Sequence, residues 1–369
     1  MVTPTGPAIP TGDVAPHIRA GHTTVGVMAQ VLLATLPGLV ALTLFFGWGT
    51  LINIALAATA AMLCEAGITQ LRGMPPGLPW GDGSALVTAV LLGLALPPLA
   101  PWWLPVLGSG FAIVIAKHLY GGLGQNLFNP AMAGYAMLLV SFPLLMSRWP
   151  LPMPVLADGV LAPGLIQSLS MVLLPGAPEL DGLTGATPLE AFRHHSGLLV
   201  AQFYAEQPLF RAGHWAGVGW EWVNVGFLAG GVWLLYRRIV SWHAPVAMLM
   251  TLSLLALLCY DGGSSVSKGS PIFHLFSGAT MLGAFFIVTD PATCAGSRAG
   301  RLLCGALTGA LVFLLRTRGH YPDGVAFAVL LMNCAAPLID HYTVPRGFGG
   351  PRHRRNSDAE VGQRPDLQQ

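Results

Sequence analysis

The sequence predicts an all-α polytopic membrane protein of about ten transmembrane helices, arranged as two inverted five-helix repeats with short broken helices. Three observations carry this: a scarcity of charge, a series of long uncharged apolar runs, and a second half that resembles the first. Charged residues are 9% of the 369 positions and hydrophobic residues 53%, whereas an ordinary soluble domain is about 25% charged. A water-soluble fold of this length lacks the polar surface to cover itself, and a lipid bilayer removes that requirement. The net charge of +2 leaves no electrostatic footprint for nucleic acid.

Residues 1–24 are polar, rich in Pro, Gly and Thr, and lack the apolar centre of a cleavable signal peptide. They read as a cytoplasmic N-terminal segment. The run Val25 to Phe46 then holds no charge in 22 residues, enough to cross a hydrocarbon core of about 30 Å as a helix. Further apolar segments cover roughly 50–70, 83–97, 102–120 and 126–147, so that 25–147 forms a first membrane repeat of five helices. A second set covers 217–236, 244–260, 272–290, 300–316 and 322–341, and 217–341 forms the second repeat. Between them lies 148–216, much the longest connection, rich in Pro, Gly and His. Loops of that length are functional or disordered. The polar tail 342–369, with Arg352, Arg354 and Arg355, reads as a disordered cytoplasmic end.

Orientation follows from the placement of Lys and Arg. With the N-terminus in the cytoplasm, that side holds Arg19, Arg72, Lys117, Arg237, Arg238, Arg298, Arg301 and the tail arginines. The short loops opposite hold Lys268, Arg316 and Arg318. Both termini are therefore expected inside, and 148–216 outside, in the periplasm of a cell that has one.

The internal repeat is visible in 83–98 (GSALVTAVLLGLALPP) against 276–291 (FSGATMLGAFFIVTDP), at an offset of 193. Ala136-Met137-Leu138 matches Ala328-Val329-Leu330 at an offset of 192. Five helices per half invert the second half, which is the architecture of many transporters. The third and eighth segments are short and end at Pro97-Pro98 and Pro291. Short, proline-ended segments in matching positions point to a central site. The free backbone at their ends must face protein, a cofactor or water.

Candidate chemistry is sparse. Cys64, Cys259, Cys294, Cys304 and Cys334 are scattered without a CxxC pair, so an iron–sulfur or zinc site is not expected. His194, His195 and His214 match no standard metal spacing. Glu65, Glu221, Asp261, Asp290, Asp323 and Asp340, with Lys117 and His118, lie at or near segment ends. Ionisable groups at bilayer depth are functional candidates, and helix capping is the plainer account of them. Asp290 and Asp323 stand out because each adjoins a proline break. GxxxG spacing at Gly226/Gly230 and Gly305/Gly309 predicts close helix packing.

The long loop carries Asp181-Gly182-Leu183-Thr184-Gly185-Ala186-Thr187-Pro188-Leu189. Small neighbours leave the Thr187 hydroxyl reachable, although such a string alone is a turn. Three further stretches give it context: Gly121 to Met132 (GGLGQNLFNPAM), Gly278 to Phe286 (GATMLGAFF) running into Thr289-Asp290-Pro291, and Tyr321 to Leu330 (YPDGVAFAVL). Together these resemble the D subunit of the Rnf-type electron transport complex, related to the B subunit of the sodium-pumping NADH:quinone reductase. The resemblance runs from about Pro16 to Arg346.

That resemblance implies FMN joined through a phosphoester to a threonine that ends a D-G-x-[ST]-x-A-T segment. The segment matches Asp181, Gly182, Thr184, Ala186 and Thr187, so Thr187 is the expected attachment residue, with Asp181 and Thr184 as its motif context. It also implies a separate flavin transferase for maturation and a multi-subunit complex in the bacterial inner membrane. Such a complex passes electrons between ferredoxin and NAD and moves Na+ or H+. The related B subunit also holds noncovalent riboflavin, for which the sequence marks no site. No G-x-G-x-x-G nucleotide motif is present, so the chain is expected to be a redox subunit that is not catalytic alone. A channel-like or transporter bundle without a redox role is the rival reading. The threonine segment, for which a plain channel has no use, separates the two.

Overall fold

Helices follow the apolar runs because a bilayer offers the backbone no other hydrogen-bonding partner. The computed structural model describes residues 23–73, 82–156, 163–174, 182–194, 197–319 and 321–343. The first half comprises α1 (Thr24–Phe46), α2 (Gly49–Leu71), α3 (Ser84–Ala95), α4 (Trp103–Phe111) and α5 (Pro130–Ser141). Within the half, α4 runs on into a π-helical stretch, Ala112–His118. The segment 126–147 ends in a separate short helix, α6 (Pro143–Met146), and the short α7 (Leu165–Leu173), α8 (Pro188–Arg193), α9 (Val200–Glu206) and α10 (Pro208–Arg211) lie in the long connection. The second half comprises α11 (Trp220–Tyr236), α12 (His243–Leu258), α13 (Pro271–Phe276), α14 (Thr280–Leu282), α15 (Arg298–Arg318) and α16 (Val325–Thr343). The chain is thus an all-α multi-pass membrane protein. Among the described helices, α1, α2, α15 and α16 are each long and apolar enough to cross a membrane alone.

The stretch 272–290, read from sequence as one segment, is two. After α13 the backbone opens over Ser277–Ala279, then resumes as α14 and a π turn, Gly283–Ile287. The cause is local: Gly278 has φ +58°, a left-handed conformation that only glycine takes up readily. By contrast α3 is continuous and stops at Leu96, ahead of Pro97-Pro98. Cys64 lies inside α2, not at its end, whereas Cys259 caps α12.

Glycine sets the helix spacing. A Cβ at Gly226 would lie 2.7 Å from the Pro37 carbonyl oxygen, and one at Gly230 1.8 Å from that of Ala34, so α11 lies directly on α1. In the same way Gly305 and Gly309 bring α15 onto α12, with hypothetical Cβ atoms 2.3 Å from the Ala244 and Met248 oxygens. These are the two GxxxG pairs read from the sequence, and the contact is of the small-residue kind that membrane helices use. The packing partners repeat between halves, α2 with α4 and α12 with α15, while α1 meets α11 and α5 meets α16 across the middle.

Two asparagines complete the breaks. Asn53 of α2 donates through Nδ2 to the Pro97 carbonyl at 2.8 Å. Asn224 of α11 donates to the carbonyls of Phe276 and Gly278, each at 3.0 Å, and its Oδ1 accepts from the Met281 N–H at 3.1 Å. Both residues are fully buried. A buried polar group left without a partner costs about 1–3 kcal/mol. Asn224→Leu strips two carbonyls and one N–H at once. It is therefore expected to lower the thermal unfolding midpoint of the detergent-purified protein well below that of a lipid-facing control, Leu254→Ala. Equal midpoints for the two variants would show that the break does not rely on this amide.

Candidate functional site

Thr187 ends the loop segment and begins α8. Its Oγ1 accepts the Glu190 N–H at 3.3 Å, the N-capping bond that serine and threonine favour, and Pro188 occupies the first helical position, where its missing N–H is harmless. Upstream, Thr184 and Gly185 form a two-residue strand β2 paired antiparallel with β1 (Trp149–Pro150), in register Trp149 with Gly185 and Pro150 with Thr184. Asp181 lies outside the described residues. The strand pair carries the threonine segment down against the membrane bundle, and Thr187 is only 6% exposed.

Beneath it is an apolar cavity of about 70 Å³, reached by Thr187 from the loop, Tyr135 from α5, Trp220 and Phe227 from α11, and Asp323 just before α16. Trp149 closes one wall. Its ring centroid lies 4.8 Å from that of Trp220, and Phe46 meets Trp220 edge-on at 5.3 Å. A planar apolar ring fits such a wall, since aromatic pairs favour tilted and edge-to-face contacts. The sequence reading missed Trp149, Trp220 and Tyr135. A tryptophan beside each end of the long connection was the available signal.

Among the described residues the one carboxylate at this cavity is neutralised. Asp323 pairs with Arg316 (Nε to Oδ1, 3.0 Å) and accepts the Ala279 N–H at 2.8 Å. Arg316 also donates to the carbonyls of His274 at 2.8 Å and Ser277 at 3.3 Å. One guanidinium therefore holds both the acid and the open backbone after α13. The sequence reading placed Arg316 in a short loop, but it is buried within α15. On the loop itself Tyr204 stacks flat on Phe210 at 4.6 Å, and burial pushes its hydroxyl up to about 12.

A second cavity, about 210 Å³, opens on the opposite face and is polar along one side, with Ser84, Lys117, Asn126, Asn129, Asp290 and Arg301 in its lining. Lys117, presented by the π-helical end of α4, donates to Glu65 at 2.7 Å and to the Ser84 hydroxyl at 2.6 Å. Both partners of this ion pair are buried. Single-turn π stretches recur at functional sites. Asn129 caps α5 through the Met132 N–H and donates to Asp290 at 3.1 Å, joining the two halves. Two other acids bind loop backbone instead of capping a helix: Glu221 accepts from the His214 and Trp215 N–H groups, and Asp340 from the Gly296 N–H. With Lys117 and Arg316 set aside as internal pairs, and Arg148, Arg193 and Arg211 of the long connection left out because long loops carry little orientation signal, Arg72, Arg237, Arg238, Arg298 and Arg301 face this side, against Lys268 and Arg318 in the short connections of the loop face. Among the described residues no cluster of His, Cys, Asp and Glu could hold a metal ion.

Residues 11–349 match the model of the NQR2, RnfD, RnfE family. A protein of Cellvibrio japonicus, named as the D subunit of an ion-translocating oxidoreductase complex, is 53% identical over 346 residues, covering 94% of this chain and 96% of its own length. A protein of the same name from Pseudomonas aeruginosa is 52% identical over 345 residues, covering 94% and 97%. Another, from Citrobacter koseri, is 48% identical over 347 residues, covering 91% and 97%.

Removing one partner of a buried ion pair costs about 3–5 kcal/mol, because the other charge stays behind in low dielectric. Arg316→Met is therefore expected to destabilise the purified protein severely in a denaturant titration. Adding Asp323→Leu to the same chain should recover most of the loss. A double variant as unstable as the single one would mean that the backbone bonds of Arg316, rather than its charge pairing, dominate.

Proposed function

The chain belongs to the NQR2, RnfD, RnfE family, and from that premise we propose that it is the D subunit of an ion-translocating oxidoreductase complex, carrying FMN as a phosphoester on Thr187. The family supports the subunit role, and the position of Thr187 carries the flavin reading. Its hydroxyl sits at the lip of an apolar cavity walled by Trp149 and Trp220, where Asp323 is already paired with Arg316. A covalent tether makes a deep pocket unnecessary. The ring needs only one apolar face, and Trp149 with Trp220 offers it.

A bound flavin supplies one- and two-electron transfer, and the chain supplies position and electrostatic surroundings. The cavity as it stands is smaller than a three-ring isoalloxazine, so attachment requires α8 and the β1–β2 pair to move outward. That fits a modification made by a separate flavin transferase before the loop settles. The remaining arginine asymmetry favours an N-terminus in the cytoplasm of a bacterial inner membrane, with the flavin outside. The electron partners on the ferredoxin and NAD side then belong to other subunits, and electrons must cross the bilayer to reach the loop.

A role in conducting the coupling ion has its own support in the polar side of the opposite cavity, where Asn129 joins Asp290 across the two halves. Asn126, Asn129 and Thr289 lie along the same side, each already hydrogen-bonded within the chain, so a noncovalent riboflavin there would have to share those groups. The two uses are compatible with one bundle.

Full-length protein matured with a flavin transferase is expected to give a fluorescent band on a denaturing gel under ultraviolet light. Thr187→Val abolishes the band, and Thr187→Ser, which keeps the hydroxyl, retains it. A dark band from matured wild-type protein would leave the transporter reading ahead.

A further inference from the structure

A third cavity, of about 220 Å³, lies on the loop face behind α8, separated from the Thr187 cavity by Leu189, which borders both. Its cationic lining comes from three separate elements: Arg193 at the end of α8, Lys268 in the connection before α13, and Arg316 near the end of α15. Arg316 is neutralised by Asp323. Arg193 and Lys268 form no ion pair with a carboxylate among the described residues, so the cavity is left with an excess of positive charge.

Its hydrogen-bonding groups are also incomplete. One terminal nitrogen of Arg193 donates to the Tyr321 carbonyl at 2.8 Å, which fixes the guanidinium, yet its Nε is buried without a partner among the described residues. His274 is 2% exposed and lies in the same lining. Its Nε2 sits 2.8 Å from the Lys268 carbonyl oxygen. A carbonyl only accepts, so the hydrogen is on Nε2 and Nδ1 keeps a lone pair, also buried and unpartnered. A cationic donor and a neutral acceptor, both unmet, call for a ligand that has anionic oxygens together with a hydroxyl.

The surroundings place that ligand at the membrane boundary. Arg316 and Thr317 belong to the last turn of α15, one of the helices able to span the membrane alone. Just inside that turn Leu314 is 54% exposed, and Ile272 and Val266 beside the cavity are 51% and 71% exposed. Charge at the mouth with bare aliphatic surface running away from it is the pattern of a lipid site, the head group held by fixed cations and the chains lying along the helices.

We propose that this cavity binds the phosphodiester and glycerol head group of an anionic phospholipid from the leaflet on the loop face. The phosphate oxygens take up Arg193 and Lys268, and a glycerol hydroxyl donates to His274. The lipid fills the back of α8 and so braces the helix whose first turn presents Thr187. The proposal rests on the membrane-spanning fold and stands whether or not Thr187 carries a flavin.

The test uses the full-length chain in detergent, stripped of lipid and then offered phosphatidylglycerol, phosphatidylethanolamine or inorganic phosphate. Native mass spectrometry counts bound lipid, and thermal melting reads its effect. Wild-type protein is expected to retain one more phosphatidylglycerol than the double variant Arg193→Gln/Lys268→Gln. Its midpoint should rise by several degrees with phosphatidylglycerol, and by much less with phosphatidylethanolamine or inorganic phosphate. Lys268→Gln alone, at an exposed position, should bind phosphatidylglycerol several-fold more weakly and carries the test if the double variant does not fold. Equal retention by wild type and variants overturns the proposal. So does a full stabilising shift from inorganic phosphate, which would make the site one for a free anion.

Discussion

Within a bilayer no water is available to meet a free carbonyl, so every interruption of a helix has to be answered by a side chain. This requirement organises the molecule. The opening after α13 exposes the carbonyls of His274, Phe276, Ser277 and Gly278 and the N–H of Ala279. Three side chains from other elements close it: the amide of Asn224, the guanidinium of Arg316 and the carboxylate of Asp323. The first half answers its shorter break with Asn53 alone. The difference is geometric, since α3 simply stops before two prolines while the second half must restart a helix after its gap.

The position of the cavities follows from those closures. Asp323 is drawn into the loop-face cavity because it bonds the Ala279 N–H, and Arg316 follows to balance it. Arg316 also reaches the neighbouring cavity from α15 already paired with Asp323, so the basic side of that cavity is carried by Arg193 and Lys268. On the opposite face the π stretch of α4 turns Lys117 inward, and Glu65 and Ser84 meet it there. Phe285 and Phe286, within the other π turn, line that same cavity. Between the two sides lies packed apolar material, with Phe227 and Phe286 edge-on at 5.9 Å. A route for ions through the bundle would have to open this layer, whereas electrons can cross closely packed matter without opening it.

Much of the fold was legible because lipid makes the pattern one-dimensional. Val25 to Phe46 has to be a helix, and the proline breaks and GxxxG pairs mark where the regular pattern yields. The reading of Thr187 as an attachment point rests on the longer stretches resembling a family, since its own segment alone is an ordinary turn. What stayed hidden depends on the third dimension. Nothing in the letters shows that Arg316, near a segment end, turns inward to Asp323 while Arg318, two residues on, stays exposed. Trp149 and Trp220 are 71 positions apart in the chain, and their contact comes from the strand pair that folds the loop back onto α11. Asn53, Asn129 and Asn224 did offer a signal, as lone amides in or beside apolar helices, where a polar side chain needs a reason to be.

With the proposed flavin ester on Thr187, a site of modification and a structural site would share one atom. Its hydroxyl oxygen caps α8, and esterification would keep an oxygen at that position while adding bulk and negative charge beside it. The capping bond is a long 3.3 Å, so its loss is small beside the contacts that hold the rest of α8. Those contacts are the Arg193 bond to Tyr321 and the burial of Leu189 and Phe192. Arg193 and Phe192 anchor the far end, whereas a lift of the first turn to admit the proposed ring against Trp149 and Trp220 would have to uncover Leu189. A six-residue helix fixed at its far end and weakly capped at the other would suit the proposed attachment, made once during assembly.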